Sequence, residues 1–230
     1  HNENEVTRLS NDVFTMDKIL LGDVFIRGGS SSGTHVLEEG RPIGQFYGLV
    51  CNGIDENGRY ILVDKDGDGE ISDPADYDYI GSAQPKLTYG ITNSFRYKNF
   101  DLSFFLRGTI GNDILNATRM AYAQSGFLPG TNALDDPLTY TLSETPRFSN
   151  YYLEKGSFMR LDNLTLGYKI KALNGIRVYF TAQNLFVITK YKGLDPEVPM
   201  DSGDGLTPGV EPREFYPKAR TFSVGLNLNF

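Results

Sequence analysis

An all-β, antiparallel and membrane-spanning fold follows from three features of the sequence. Apolar and polar residues alternate over five long stretches, and the connections between them are short and long by turns. Each stretch also runs for about 10 to 14 residues, beyond the five or six common in soluble strands. In a membrane barrel every second side chain faces lipid while its neighbours face the lumen, so a strand reads as alternation. Together these features predict the C-terminal strands of a transmembrane antiparallel β-barrel with long extracellular loops.

Composition agrees. The 230 residues carry a formal net charge of -7, with 25 Gly, 14 Tyr, 15 Phe and no Trp. Aromatics suit a pleated surface, and the acidic balance argues against a nucleic-acid partner, which needs clustered Lys and Arg. No run approaches the roughly 18 apolar residues of a membrane helix. Cys51 is the only cysteine, which excludes an internal disulfide framework and a Cys-rich zinc site. The polar start, His1-Asn-Glu-Asn-Glu5, is no signal peptide; an export signal is expected upstream, so the sequence reads as a piece.

Taken in order, residues 1–85 read as the end of one barrel strand (Val6, Thr7, Arg8, Leu9) followed by a large extracellular loop, with strand-like pieces at 45–51 and 59–63. Residues 86–230 read as five transmembrane strands with two long extracellular loops. In the first, Leu87, Tyr89, Ile91, Phe95 and Tyr97 alternate with Thr88, Gly90, Thr92, Ser94 and Arg96. Lys98 and Asn99 form a tight turn, and the alternation resumes through Phe100, Leu102, Phe104 and Leu106. A long segment, 113–156, follows, with a short helix expected within 113–124. Strands return at 158–170 and 176–190 around a short turn at 171–175. After a second long segment, 191–217, the last strand spans 219–230, with Phe222, Val224, Leu226, Leu228 and Phe230 on one face. All short turns then fall on one side, the periplasmic one, and all long loops on the other. Arg96, Asp101, Arg107, Lys169 and Arg177 are expected to face the lumen.

One stretch carries metal chemistry. Asp64, Asp66 and Asp68 stand at i, i+2 and i+4, followed by Gly69, as in the opening of a calcium loop. Glu70 would offer its backbone carbonyl. The twelfth position, where a bidentate Glu belongs, is Ala75, so Asp73 or Asp76 is the expected substitute. The predicted role for Ca2+ is structural, stapling an external loop. Catalysis finds little support: the only histidines are His1 and His35, the latter in a Gly/Ser-rich stretch read as a mobile loop. Loop aromatics such as Tyr47, Tyr79 and Tyr151 are read first as structural.

Several segments resemble a known family. Gly40-Arg-Pro-Ile-Gly-Gln-Phe-Tyr-Gly48 with Asn52-Gly-Ile54 is similar to a segment of SusC/RagA-like TonB-dependent transporters. The Asp-rich stretch, then Ile80-Gly-Ser-Ala-Gln-Pro85 and Tyr89-Gly90, follow in that family's order. Phe158-Met-Arg-Leu-Asp-Asn-Leu-Thr-Leu-Gly-Tyr168, Val178-Tyr-Phe-Thr-Ala-Gln-Asn-Leu-Phe186 and Tyr191-Lys-Gly-Leu-Asp-Pro-Glu197 resemble its C-terminal strands. The resemblance implies a large barrel of 22 strands plugged by an N-terminal domain that is absent from this chain, and energy from TonB reaching it through that missing part. It also implies import of oligosaccharides or peptides with a SusD-like surface lipoprotein. Because the smallest membrane barrels use about eight strands and open edges are not tolerated in lipid, the barrel is expected to be completed by another polypeptide or by a further part of the same one. Two other readings stay open: a passive porin-like barrel and a secreted calcium-binding β module.

Overall fold

The computed structural model describes all residues except 12, 14, 27–28, 127, 131, 172–175, 199–204, 213–215 and 229–230, with backbone only for 26 and 29–32. Its first strands are β1 (Lys18–Ile26), β2 (Gly29–Glu38), β3 (Gln45–Leu49), β4 (Cys51–Ile54), β5 (Tyr60–Leu62) and β6 (Tyr77–Ser82). The hairpin β7 (Leu87–Tyr97) and β8 (Phe100–Ile110) leads to β9 (Asp113–Leu115), α1 (Ala117–Tyr122), α2 (Pro137–Thr141) and β10 (Leu153–Lys155). Three long strands complete the order: β11 (Phe158–Ile170), β12 (Ile176–Thr189) and β13 (Thr221–Asn227). Among the described residues no helix is long and apolar enough to cross a membrane.

The long strands form one sheet in the order β13-β12-β11-β8-β7, antiparallel throughout. Lys98 takes a φ of 53°, the left-handed conformation that a two-residue hairpin loop demands. β8 ends at Ile110, where Gly111 turns the chain with a φ of 86°. The expected turn at 171–175 and the terminal Phe230 lie largely or wholly outside the described residues.

Register sorts the side chains into continuous rows. Phe95, Leu102, Leu166, Phe180 and Val224 stand opposite one another across all five strands. The next row reads Tyr97, Phe100, Tyr168, Val178 and Leu226. Phe95 is 53% exposed and Val224 75%, which in water would leave a large unpaired apolar face but in lipid is the ordinary outer wall of a barrel. The Tyr97, Phe100 and Tyr168 group sits at the short-turn end, where an aromatic girdle meets the membrane surface. On the opposite face one row reads Ser94, Ser103, Thr165, Thr181 and Ser223, a hydroxyl ladder with Thr165 and Thr181 3.1 Å apart.

A bulge at Leu161/Asn163 changes the phase of β11. Counted back from Leu166 without it, Arg160 would face lipid. With it, Arg160 stands opposite Arg107 on the polar face. Asn184 of β12, at φ 51°, lies beside the same irregularity.

The long connections are folded rather than open. β1, β2, β3 and β6 make a second sheet, and β4–β5 and β9–β10 pair as short ribbons. Beneath them Phe46, Leu49, Leu115, Met120, Phe148 and Tyr152 are at most 1% exposed. Burying side chains of this size contributes about 1.5–3 kcal/mol each, so this extracellular cap has a core of its own. Gly58 allows one close approach there: at φ 77°, a Cβ would lie 2.0 Å from the Thr141 carbonyl oxygen. The strand end expected at Val6 to Leu9 is not a strand. Val6 exchanges backbone hydrogen bonds with Arg41 and Gly40 (2.8 and 2.9 Å), and its neighbours form no ladder. The helix expected within 113–124 is shorter, because Asp113–Leu115 pairs with β10 before α1 begins at its Asn116 cap.

Candidate functional site

The polar face of the five-stranded sheet is the candidate channel wall, and its charges are arranged in two groups. Near the short turns, Arg177 donates to both oxygens of Asp101, at 2.9 and 2.5 Å. Toward the extracellular end lies a buried cluster built on Arg160, which is 1% exposed. Its guanidinium contacts Asp195 at 2.5 Å, Glu197 at 2.8 Å and the Asn184 side-chain carbonyl. Glu197 also accepts from Arg107 and from Lys218, the latter at 2.8 Å. Arg107 reaches Asp162 at 2.9 Å. Asn184 donates in turn to the Lys218 carbonyl at 2.7 Å. Burial works against the Glu197 carboxylate, but Arg107 and Lys218 outweigh it and hold the carboxyl below its ordinary value. The cluster therefore clasps the segment after β12 onto β8, β11 and β12.

The Asp-rich loop sits between β5 and β6. It brings Asp64, Asp66 and Asp68 together, with one carboxylate oxygen of each within 4.8 Å of the others. Asp64 accepts from the amides of Gly67 and Gly69 (2.6 and 2.9 Å), and both glycines have positive φ, 78° and 91°. Glu70 donates its amide to Asp68 at 2.8 Å and leaves its side chain exposed. Asp73 and Asp76 are engaged elsewhere. Asp73 pairs with Arg147 at 2.8 Å. Asp76, 1% exposed, accepts from the amides of Ser72 and Lys65 at 2.8 and 2.6 Å, which hold its carboxyl below the usual range. It fastens the two ends of the loop together, a role no spacing rule for calcium ligands anticipates.

His35 is not in a mobile loop. It is fully buried in β2, where Nε2 lies 2.9 Å from the Pro208 carbonyl and Nδ1 3.0 Å from the Thr34 hydroxyl. This ties β2 to the segment after β12. The loop aromatics are engaged as well: Arg41 stacks 3.7 Å from the Tyr79 ring centroid, and Tyr47 packs edge-on against Tyr79 at 5.2 Å. Tyr60 and Tyr152 share a buried 2.5 Å hydroxyl contact, and burial pushes the Tyr60 hydroxyl up to about 12.

No family model matches the chain. Over its whole length it is 35% identical to TonB-dependent receptor SusC of Bacteroides thetaiotaomicron, of which it covers 23%. Over 86% of its length it is 34% identical to TonB-dependent receptor P3 of Formosa agariphila, again covering 23% of that protein. Among solved structures, the RagAB peptide transporter aligns with 96% of the chain at a TM-score of 0.71 and 25% identity, using 25% of that chain. The chain belongs to the SusC/RagA-like family of TonB-dependent transporters.

Its sheet is accordingly a section of barrel wall in the bacterial outer membrane. The chain spans about a quarter of the length of these relatives. Membership also gives the clasp a context. The three stretches at 158–168, 178–186 and 191–197 that resemble the family converge on one buried guanidinium, that of Arg160. Sequence reasoning named Arg107 but missed Arg160, Asn184, Asp195 and Glu197. The available signal was an Arg inside an apolar strand, facing the wrong way unless a bulge intervened.

Proposed function

We propose that this chain forms part of a TonB-dependent outer-membrane importer of oligosaccharides or peptides, working with a SusD-like surface lipoprotein. The likeness to SusC along the entire chain carries this reading, and the likeness to RagAB adds a peptide transporter as a structural relative. On this reading the remaining polypeptide pairs with the free edges of β7 and β13, because five strands cannot close a barrel. The hydroxyl ladder and the paired charges line the lumen, the folded cap shapes the external mouth beneath the lipoprotein, and TonB acts through the part of the protein outside these residues. The family relatives are transporters and receptors, and an enzymatic role is not part of the reading. The Asp64, Asp66 and Asp68 oxygens, with the Glu70 carbonyl, are proposed to hold Ca2+ and stiffen the cap; hard oxygen donors on a tight turn suit that ion, with water completing the shell.

The test is uptake of labelled oligosaccharides and peptides by cells carrying the full-length transporter, with and without TonB, and with and without a SusD-like surface lipoprotein. Uptake that needs both supports the proposal. Uptake indifferent to TonB would instead make the barrel a passive pore.

A further inference from the structure

Three carboxylates of the described residues are buried, and two of them are satisfied within the chain. Asp195 meets the Arg160 guanidinium at 2.5 Å. Asp76 accepts from three backbone amides, those of Lys65, Asp66 and Ser72. Glu211 is the exception. It is 1% exposed; its Oε1 accepts the Leu194 amide at 3.2 Å, and its Oε2 has no hydrogen-bond partner. No Lys or Arg among the described residues pairs with it. The buried Tyr191 hydroxyl feels the charge, since burial and the Glu211 carboxylate both push it up, but a neutral hydroxyl does not balance an anion. A buried charge left without a counter-charge is strongly unfavourable.

Glu211 lines an open cavity of about 220 Å³ in the extracellular cap, between α1, the segment before α2 and the chain that follows β12. The Thr118 hydroxyl lines the same cavity and is likewise buried without a partner. Of the two cations on the wall, Arg119 is held by Asp136 at 2.9 Å, and Lys192 is exposed and makes no ion pair. Asp135 adds a further negative charge, and Leu134 and Leu194 supply apolar wall.

These features select the ligand. A divalent metal ion needs several convergent oxygens, and among the described residues only Asp64, Asp66 and Asp68 bring three acidic oxygens within 4.8 Å of one another. A neutral sugar offers donors but leaves the carboxylate charge unbalanced. A primary ammonium supplies the charge together with its N–H donors, and the carbon chain that bears it suits the two leucines. We propose that this cavity is a subsite for a primary ammonium group of a peptide, a lysine side chain or the N-terminus, with Glu211 as its counter-ion and the Thr118 hydroxyl accepting a second N–H. The inference rests on the import reading above and narrows its substrate class to peptides.

Calorimetric titration of the full-length transporter in detergent tests it. N-acetyl-lysine amide carries only the side-chain ammonium, glycyl-glycinamide only the terminal one, and N-acetyl-norleucine amide is the uncharged control. One ammonium probe or both should bind, and the pattern tells which source the site takes. The norleucine probe should bind about tenfold or more weakly than the lysine probe, and Glu211→Gln should weaken the bound ammonium probe by a similar factor. Should Glu211→Gln give no heat-modifiable barrel, Thr118→Val carries the same comparison, with a several-fold weakening of the ammonium probe alone expected. Equal binding of charged and uncharged probes, no binding of either ammonium probe, or variants that bind as the wild type does would overturn the proposal and leave the transporter reading standing. Uptake indifferent to TonB would instead sink the transporter reading, whatever the titrations give.

Discussion

Arg160→Ala should release the segment after β12 without dissolving the barrel. Arg160 is 1% exposed and meets Asp195, whose side chain is 5% exposed, at 2.5 Å. Removing the guanidinium leaves Asp195 buried with only the Glu197 amide, 2.9 Å away, as a described hydrogen-bond donor. Glu197 keeps Arg107 and Lys218. Breaking a buried pair by deleting one partner costs about 3–5 kcal/mol. Lys218→Ala is the control: its side chain is 45% exposed, and such a pair is worth about 0–1 kcal/mol. If the loss falls on local opening, amide hydrogen exchange in residues 191–198 should quicken by about 10² to 4 × 10³-fold in Arg160→Ala. In Lys218→Ala it should quicken by less than about tenfold. The assay is exchange mass spectrometry on the full-length protein in detergent, with unfolding of β7 and β8 peptides as the global reference. Equal effects of the two substitutions, or unchanged exchange in Arg160→Ala, would refute the claim that Arg160 is the centre of the clasp.

The remaining predictions concern other parts of the molecule. Leu166→Arg places a charge on the lipid-facing row and should cost about 2–4 kcal/mol if it lies near the membrane midplane, whereas Thr165→Arg, on the polar face, should cost much less; the folded fraction on a heat-shift gel reads the difference. The folded Glu197 carboxyl titrates below its ordinary 4.5, so its contribution is present above that value and lost as pH falls through 4.5 and below. Exchange in residues 191–198 should accordingly rise on acidification, and less so in Glu197→Gln. Calcium should raise the midpoint of cap unfolding in wild type, an effect removed by chelation and by Asp66→Asn/Asp68→Asn; isothermal titration with Ca2+ that gives the same heat in both proteins would remove the ion from the account.

Much of the wall was legible because a half-buried strand repeats every two residues. Leu102, Phe104 and Leu106 announce the face they occupy, and Lys98-Asn99 announces its turn. The clasp was hidden for the same reason: the β11 bulge breaks the period between Leu161 and Asn163, so simple alternation assigns Arg160 to lipid. The cap was less readable still. β1 and β2 gave no alternation that was recognised, and the burial of His35 depends on Pro208, 173 residues away, a distance no local pattern encodes. At the Asp-rich turn, spacing found the three carboxylates that converge, but not that Asp76 accepts the backbone amides of Ser72 and Lys65 and joins the ends of the loop.

The central claim, that this sheet is a lumen-to-lipid wall, is tested most directly by nitroxide scanning along β11 and β12 of the full-length transporter in bilayers. Buried Cys51 is first replaced by Ala, and labels are then placed singly at Leu164, Thr165, Leu166, Phe180 and Thr181. Labels at Leu164, Leu166 and Phe180 should be relaxed by oxygen, which concentrates in lipid, and those at Thr165 and Thr181 by a water-soluble nickel chelate or by neither reagent. Five positions equally accessible to the chelate, or all five shielded from both reagents as in a soluble core, would contradict the account.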